Sequence, residues 1–219
     1  MKPSLVALSD AALLIQLGLE IDPALNRRVH ALDARLRATQ PAGVIETAPA
    51  YASLVVHYDP LVLTHGQVSE WVRTEVSKAE KAAASKPRRL EVPVRYGGQG
   101  GPDLEFVAAH HGITAREVVA IHTGRDYIVY MMGFTPGFPY MGKLPAAIAT
   151  PRLETPRTHV PAGSVGIAGD QTGIYPIDSP GGWRLIGTTP LRLFALESEA
   201  PFAFSPGDAV RFVAETVDA

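Results

Sequence analysis

The residues best equipped for chemistry stand together in one stretch, 160–190 (VPAGSVGIAGDQTGIYPIDSPGGWRLIGTTP). There Gln171, Thr172, Tyr175, Ser179, Trp183 and Arg184 alternate with glycine and proline. Amide, hydroxyl, indole and guanidinium groups recognise a small polar molecule through hydrogen bonds and ring contact. Glycine lets a ligand approach the backbone, and proline holds a loop at low entropic cost. Taken singly, each of these residues is also an ordinary turn or core residue; taken together they read as a binding segment. His122 falls near the end of a short helical stretch, just before a buried-strand candidate. It is either a satisfied core histidine or an acid–base group facing a pocket. His110 and His111 are adjacent, so on a helix they point about 100° apart and suit a solvated helix end better than a shared metal. His159 reads as a surface loop residue.

Several familiar chemistries are excluded. GFPYMGK (137–143) has phosphate-loop spacing, but Leu144 cannot ligate magnesium and Pro145 interferes with the helix such a loop needs. Ser164 lacks the nucleophile-elbow context. The chain has no cysteine, which removes disulfides, thiolate zinc sites and a cysteine nucleophile. Without a His and carboxylate cluster at ligand spacing, no metal site is expected. The net charge of −2 gives no general attraction to nucleic acid or anionic membrane. No signal-like start or 18-residue apolar run is present, so a soluble cytoplasmic protein is expected, with no nucleic acid or membrane partner.

Two groups of elements must position these residues. In the first, strands are expected at 12–17, 43–47 and 53–58, and helices after Asp22 and over 65–84. Asp22 followed by Pro23 is a good helix start, and Leu25, Val29, Leu32 and Leu36 form one apolar face. The polar, proline-bearing stretch 84–89 reads as a linker. Beyond it come a strand at 90–96, a helix ending at Gly112, a second helix opened by a Thr114/Glu117 capping box, and a strand at 127–132. Residues 133–190 hold 10 of the 20 glycines and 9 of the 19 prolines. Apolar runs at 165–168, 183–186 and 191–196 persist within that region, which argues for a barrel or sandwich with constrained connections rather than disorder. A last strand is expected at 210–213.

Two motifs, GFTPGFPYMGKLP (133–145) and PRLETPRTHVPAGSVGIAGDQTGIYPIDSPGGWRLIG (151–187), closely resemble the family of 5-oxoprolinase B subunits. That family is also described as allophanate hydrolase subunit 1 and includes the sporulation-kinase inhibitor KipI. EIDPALNRRVHAL (20–32), Pro49, Ala50 and Tyr51, and His57 to Pro60 extend the resemblance over essentially the whole chain. It implies an α+β N-terminal domain over 1–86, expected to be ferredoxin-like (βαββα), and an all-β cyclophilin-like barrel over 87–219. It further implies ATP-dependent opening of 5-oxoproline to glutamate, shared with subunits A and C; phosphorylation of the lactam oxygen would activate the amide before water attacks. Within that picture His122 is the expected acid–base group and Arg157 a carboxylate or phosphate clamp. Gln171, Tyr175 and Ser179 would position substrate against a wall formed by Trp183. Two alternatives share the signature: an inhibitor that grips a proline-containing segment of a histidine kinase, and a urea-amidolyase-type carboxyltransferase with a biotin ring in the barrel. Thr188 stands where the family usually carries arginine; if that arginine touches an anion, this chain is expected either to bind it more weakly or to use Arg184 or Arg192 instead.

Overall fold

The computed structural model describes residues 3–79 and 88–218. Residues 80–84 of the expected second helix and 84–87 of the expected linker lie outside the described residues. The chain divides into two compact units, Met1–Lys86 and Pro87–Ala219.

The first unit contains strands β1 (Ser4–Ser9) and β2 (Ala12–Gln16), helix α1 (Pro23–Ala38), strands β3 (Val44–Pro49) and β4 (Ser53–Tyr58), and helix α2 (His65–Ala79). The sheet is antiparallel, in the order β1-β2-β4-β3. The start of α1 is local chemistry: Asp22 Oδ1 accepts from the Leu25 N–H at 2.7 Å, and Pro23 occupies the first turn, where no donor is needed. Val29, Leu32 and Leu36 then meet Leu13, Ile15, Leu54, Val56 and Tyr58 in one core. The expected order βαββα needs correction, because β1 precedes β2 and pairs with it as a hairpin. Nearly every residue of β1 is exposed, so the strand carries no buried alternation by which sequence could reveal it. The ferredoxin-like description is therefore replaced by a four-stranded antiparallel sheet with two helices.

The second unit comprises β5 (Arg89–Gly97), α3 (Leu104–His111), α4 (Ala115–Thr123), β6 (Asp126–Met132), β7 (Pro139–Gly142), β8 (Arg157–Val160), β9 (Ser164–Ala168), β10 (Gln171–Ile174), β11 (Ser179–Gly181), β12 (Arg184–Thr188) and β13 (Ala209–Asp218). Seven strands close a barrel in the order β10-β7-β6-β13-β5-β12-β9, while β8 and β11 form a separate ribbon. β13 runs parallel to β5, from Ala209 opposite Arg89 to Asp218 opposite Gly97. Arg88 clamps that seam through two hydrogen bonds to Asp208, of 3.1 and 2.5 Å. Closure leaves the ring without free edges. Inside lie Val92, Val94, Val129, Met141, Val165, Ile167, Ile174, Ile186 and Phe212, with α3 and α4 packed on the same core. Gly112 ends α3 in the left-handed conformation (φ 65°), and Thr114 with Glu117 forms a capping box on α4.

The glycine- and proline-rich stretch supplies β7 through β12. Residues 191–196 form no strand and make only an isolated bridge, Phe194 to Phe202. The seven-strand ring is complete without them, and the run sends Leu193 into the core while Leu196 stays exposed.

Candidate functional site

Strand alternation splits β9 and β10 into two faces. Thr172 and Ile167 stand opposite each other, as do Ile174 and Val165, and these point into the barrel; Gly173 and Gly166, also opposite each other, face outward. A side chain on Gly173 would begin 2.9 Å from the Phe138 ring, and one on Gly166 would begin 3.1 Å from Trp183 Cβ. The two glycines thus leave a bare patch of strand on which rings lie. Phe138, Tyr175 and Trp183 are buried there with Val160, Ala168 and Leu185, and Tyr140 is partly exposed at the margin. Phe138 is 5.2 Å from Tyr175 and 5.3 Å from Trp183, both edge-to-face, and Tyr140 is 5.9 Å from Trp183. Such pairs contribute about 0.5–1.5 kcal/mol each beyond their buried area.

Three features of this aromatic layer point beyond packing. The Arg152 guanidinium lies 5.9 Å over the Trp183 ring while its side chain stays exposed. Phe134, 61% exposed, holds φ 66°, and the Thr135 N–H bonds the Gly133 carbonyl at 2.8 Å across it, a strained three-residue turn. The Ser179 and Thr135 hydroxyls are buried without a hydrogen-bond partner among the described residues. Ser179 stands opposite Val160, itself part of the layer. Burial raises the Tyr140 and Tyr175 phenols above their ordinary range, with the Arg152 charge acting in the opposite sense.

Of the residues selected from sequence, Tyr175, Ser179 and Trp183 therefore come together. Gln171 lies on the same outward face of β10, at its far end, opposite Gly142 and Ala168. Arg157 does clamp a carboxylate, but an internal one. It donates to Asp103 Oδ1 at 2.9 Å and to the Trp183 carbonyl at 3.3 Å, while Asp103 Oδ2 accepts from the Leu185 N–H at 2.7 Å. This network ties β8 and β12 to the start of α3.

His122 is fully buried inside the barrel, stacked 4.4 Å from Phe212. Its Nε2 is 3.0 Å from Thr172 Oγ1, whose hydroxyl donates to the Gly166 carbonyl at 3.1 Å. A hydroxyl has one hydrogen, so Thr172 must accept from Nε2–H; Nδ1 is then the acceptor for the Tyr96 hydroxyl at 2.7 Å. Burial holds the His122 pKa down at about 3, and the imidazole is neutral. The residue expected to transfer protons in an open pocket is a satisfied core histidine.

An open cleft of about 410 Å³ lies between α3 and α4, lined by Glu105, Ala109, Ile113 and Arg116 among others. None of the six selected residues lines it. His110 stacks on Phe106, His111 bonds Thr150, and His159 is exposed. Arg192 pairs with Glu197, and Arg184 lies 3.8 Å over the Phe106 ring. Among the described residues no three His, Cys, Asp or Glu side chains gather to hold a metal ion, and no helix is long and apolar enough to cross a membrane. Sequence reading missed Phe134, Phe138, Tyr140 and Arg152. A signal existed for two of them: Phe138 and Tyr140 are two apart beside a strand, and so share one face.

The carboxyltransferase domain family, subdomain C and D, matches residues 3–204. The 5-oxoprolinase B subunit of Bacillus subtilis (strain 168) is 46% identical over 216 residues, covering 94% of this chain and 90% of that protein. Its counterpart in Haemophilus influenzae, also a 5-oxoprolinase B subunit, is 39% identical over 98% of this chain and 99% of its own length. The crystal structure of TTHA0988 superposes with a TM-score of 0.83 at 37% identity over 96% of this chain, which spans 41% of the length of that one. Urea amidolyase of Saccharomyces cerevisiae is 22% identical over 86% of this chain and 12% of its own.

Proposed function

The chain belongs to the carboxyltransferase domain family, subdomain C and D, alongside the 5-oxoprolinase B subunits, and from that membership we propose that it is the B subunit of an ATP-dependent 5-oxoprolinase. In this reading it opens the cyclic amide of 5-oxoproline to glutamate only in company with subunits A and C. The observation that carries the reading is identity of 39–46% over nearly the whole chain with three 5-oxoprolinase B subunits. Urea amidolyases, at 22–24% identity and matched over a small part of their length, fit less well. Dependence on ATP fits a cytoplasmic protein.

A lactam is a resonance-stabilised amide, so its opening needs an activated carbonyl and a fixed ring. The outer layer of the cyclophilin-like barrel suits the second need: Tyr140 offers partly exposed ring surface beside the buried Trp183, and the buried Ser179 hydroxyl is a hydrogen-bonding group with no internal partner among the described residues. Holding a reactant in one geometry can contribute several kcal/mol to catalysis. His122 and Arg157, both committed inside the unit, support this surface rather than touch substrate. The A and C subunits would handle the phosphates of ATP, because this chain offers no phosphate loop.

The test is reconstitution. Purified chain is mixed with subunits A and C, and 5-oxoproline-dependent phosphate release is measured. Release should fall to background when this chain is omitted. Full activity from A and C alone would remove the proposal.

A further inference from the structure

We propose that Arg152 is the carboxylate anchor of the outer layer, holding a small cyclic carboxylate beside the partly exposed ring of Tyr140, above the buried Trp183. The identity of that carboxylate as 5-oxoproline rests on the reading above; the anchor itself rests on geometry.

Most arginines of this unit are already committed to carboxylates. Arg88 pairs with Asp208, Arg95 with Glu215, Arg157 with Asp103, and Arg192 with Glu197; Arg89 and Arg211 share Asp126. Arg184 lies on Phe106 and donates to the Pro151 carbonyl. Arg116 belongs to α4 and lines the cleft against α3, and Arg125 follows the end of α4, where its charge acts on the buried Tyr127. Arg152 has no carboxylate partner among the described residues, and its contact is the indole 5.9 Å below. A guanidinium over an aromatic face is oriented by the ring, yet keeps its planar fork of N–H donors directed outward. That fork matches a carboxylate with two parallel hydrogen bonds. Beside it Tyr140 is only half-buried, so a flat ring attached to the carboxylate finds aromatic surface within reach. The ligand class follows: one carboxylate on a compact, nearly planar ring. Arg157, the anchor expected from sequence, is unavailable because its two terminal nitrogens already bond Asp103 and the Trp183 carbonyl.

Binding is read by calorimetry, and by Trp183 emission in a chain whose other tryptophan is removed by Trp71→Phe. The probes are 5-oxoproline, cyclopentanecarboxylate, the uncharged lactam 2-pyrrolidinone, and ATP. Both carboxylates should bind saturably and perturb Trp183, and Arg152→Gln should weaken them at least about tenfold, as expected for loss of a charge-assisted pair. The uncharged lactam should bind weakly and equally to both forms, and Arg152→Lys should restore part of the affinity. Four results would overturn the anchor: no carboxylate binds; Arg152→Gln leaves binding intact; the lactam loses affinity in parallel; or ATP alone responds. If the carboxylates bind through Arg152 but the reconstituted subunits do not consume 5-oxoproline, the anchor stands and the oxoprolinase reading falls.

Discussion

The two faces of β9 and β10 are made from the same hairpin and have opposite characters. Inward, Val165, Ile167 and Ile174 fill the barrel, and the polar groups form a closed chain from Tyr96 through His122 and Thr172 to the Gly166 carbonyl. Outward, Gly166 and Gly173 leave bare backbone, over which rings gather beside an exposed cation and the Ser179 hydroxyl, unpartnered among the described residues. A small barrel needs its interior for side chains, so chemistry open to a ligand is left to the outside. The interior histidine looks catalytic by type and is structural by environment. The outer glycines look like turn residues and are what gives the layer its room.

The contrast can be broken first at His122. His122→Ala would remove a ring stacked on Phe212 and strip Tyr96 and Thr172 of their partner, costing about 3–5 kcal/mol in urea unfolding. The same residue sets a pH slope. Its folded pKa of about 3 lies below the ordinary histidine value of 6.5, so the unfolded chain binds the extra proton. Its contribution is complete above pH 6.5 and is lost as pH falls toward 3, at up to about 1.4 kcal/mol per pH unit. His122→Gln should flatten that slope between about pH 6.5 and 4.5, and an unchanged slope would deny that the interior is closed. On the outer face, Gly173→Val would drive a branched side chain against the Phe138 ring and the Pro139 carbonyl, each 2.9 Å from the new Cβ. A loss of about 1–3 kcal/mol is expected, with the near-ultraviolet dichroism of the ring cluster reduced and the pH slope kept. Smallest is Thr114→Ala, which removes the capping box of α4 and should cost about 1 kcal/mol in thermal unfolding. It should alter neither the pH slope nor ligand binding, and a change in either would mean that the two faces are coupled through α4.

Legibility in the sequence followed the range of the interactions. Asp22 with Pro23, Thr114 with Glu117, and Gly112 each complete their hydrogen bonding within a few residues, and those helix ends stand where the sequence puts them. β7, β8, β10 and β11 are only three or four residues long, too short for a period of their own to reveal them. The candidate site divides in the same way. Tyr175, Ser179 and Trp183 were visible as unusual chemistry in one segment. The choice between Arg152 and Arg157 was not, because Asp103, 54 residues before Arg157, decides which guanidinium is consumed internally.

The pairing of β13 with β5 joins residues about 120 positions apart, as does the Arg88–Asp208 clamp beside it. During synthesis, β5 therefore waits for most of the unit to leave the ribosome before its neighbour exists. Until then β5 and β6 each present an unsatisfied edge, the kind of surface on which nascent chains adhere to one another. Pairing of β13 with both strands satisfies the two edges in one step, and Phe212 reaches the core only with that step.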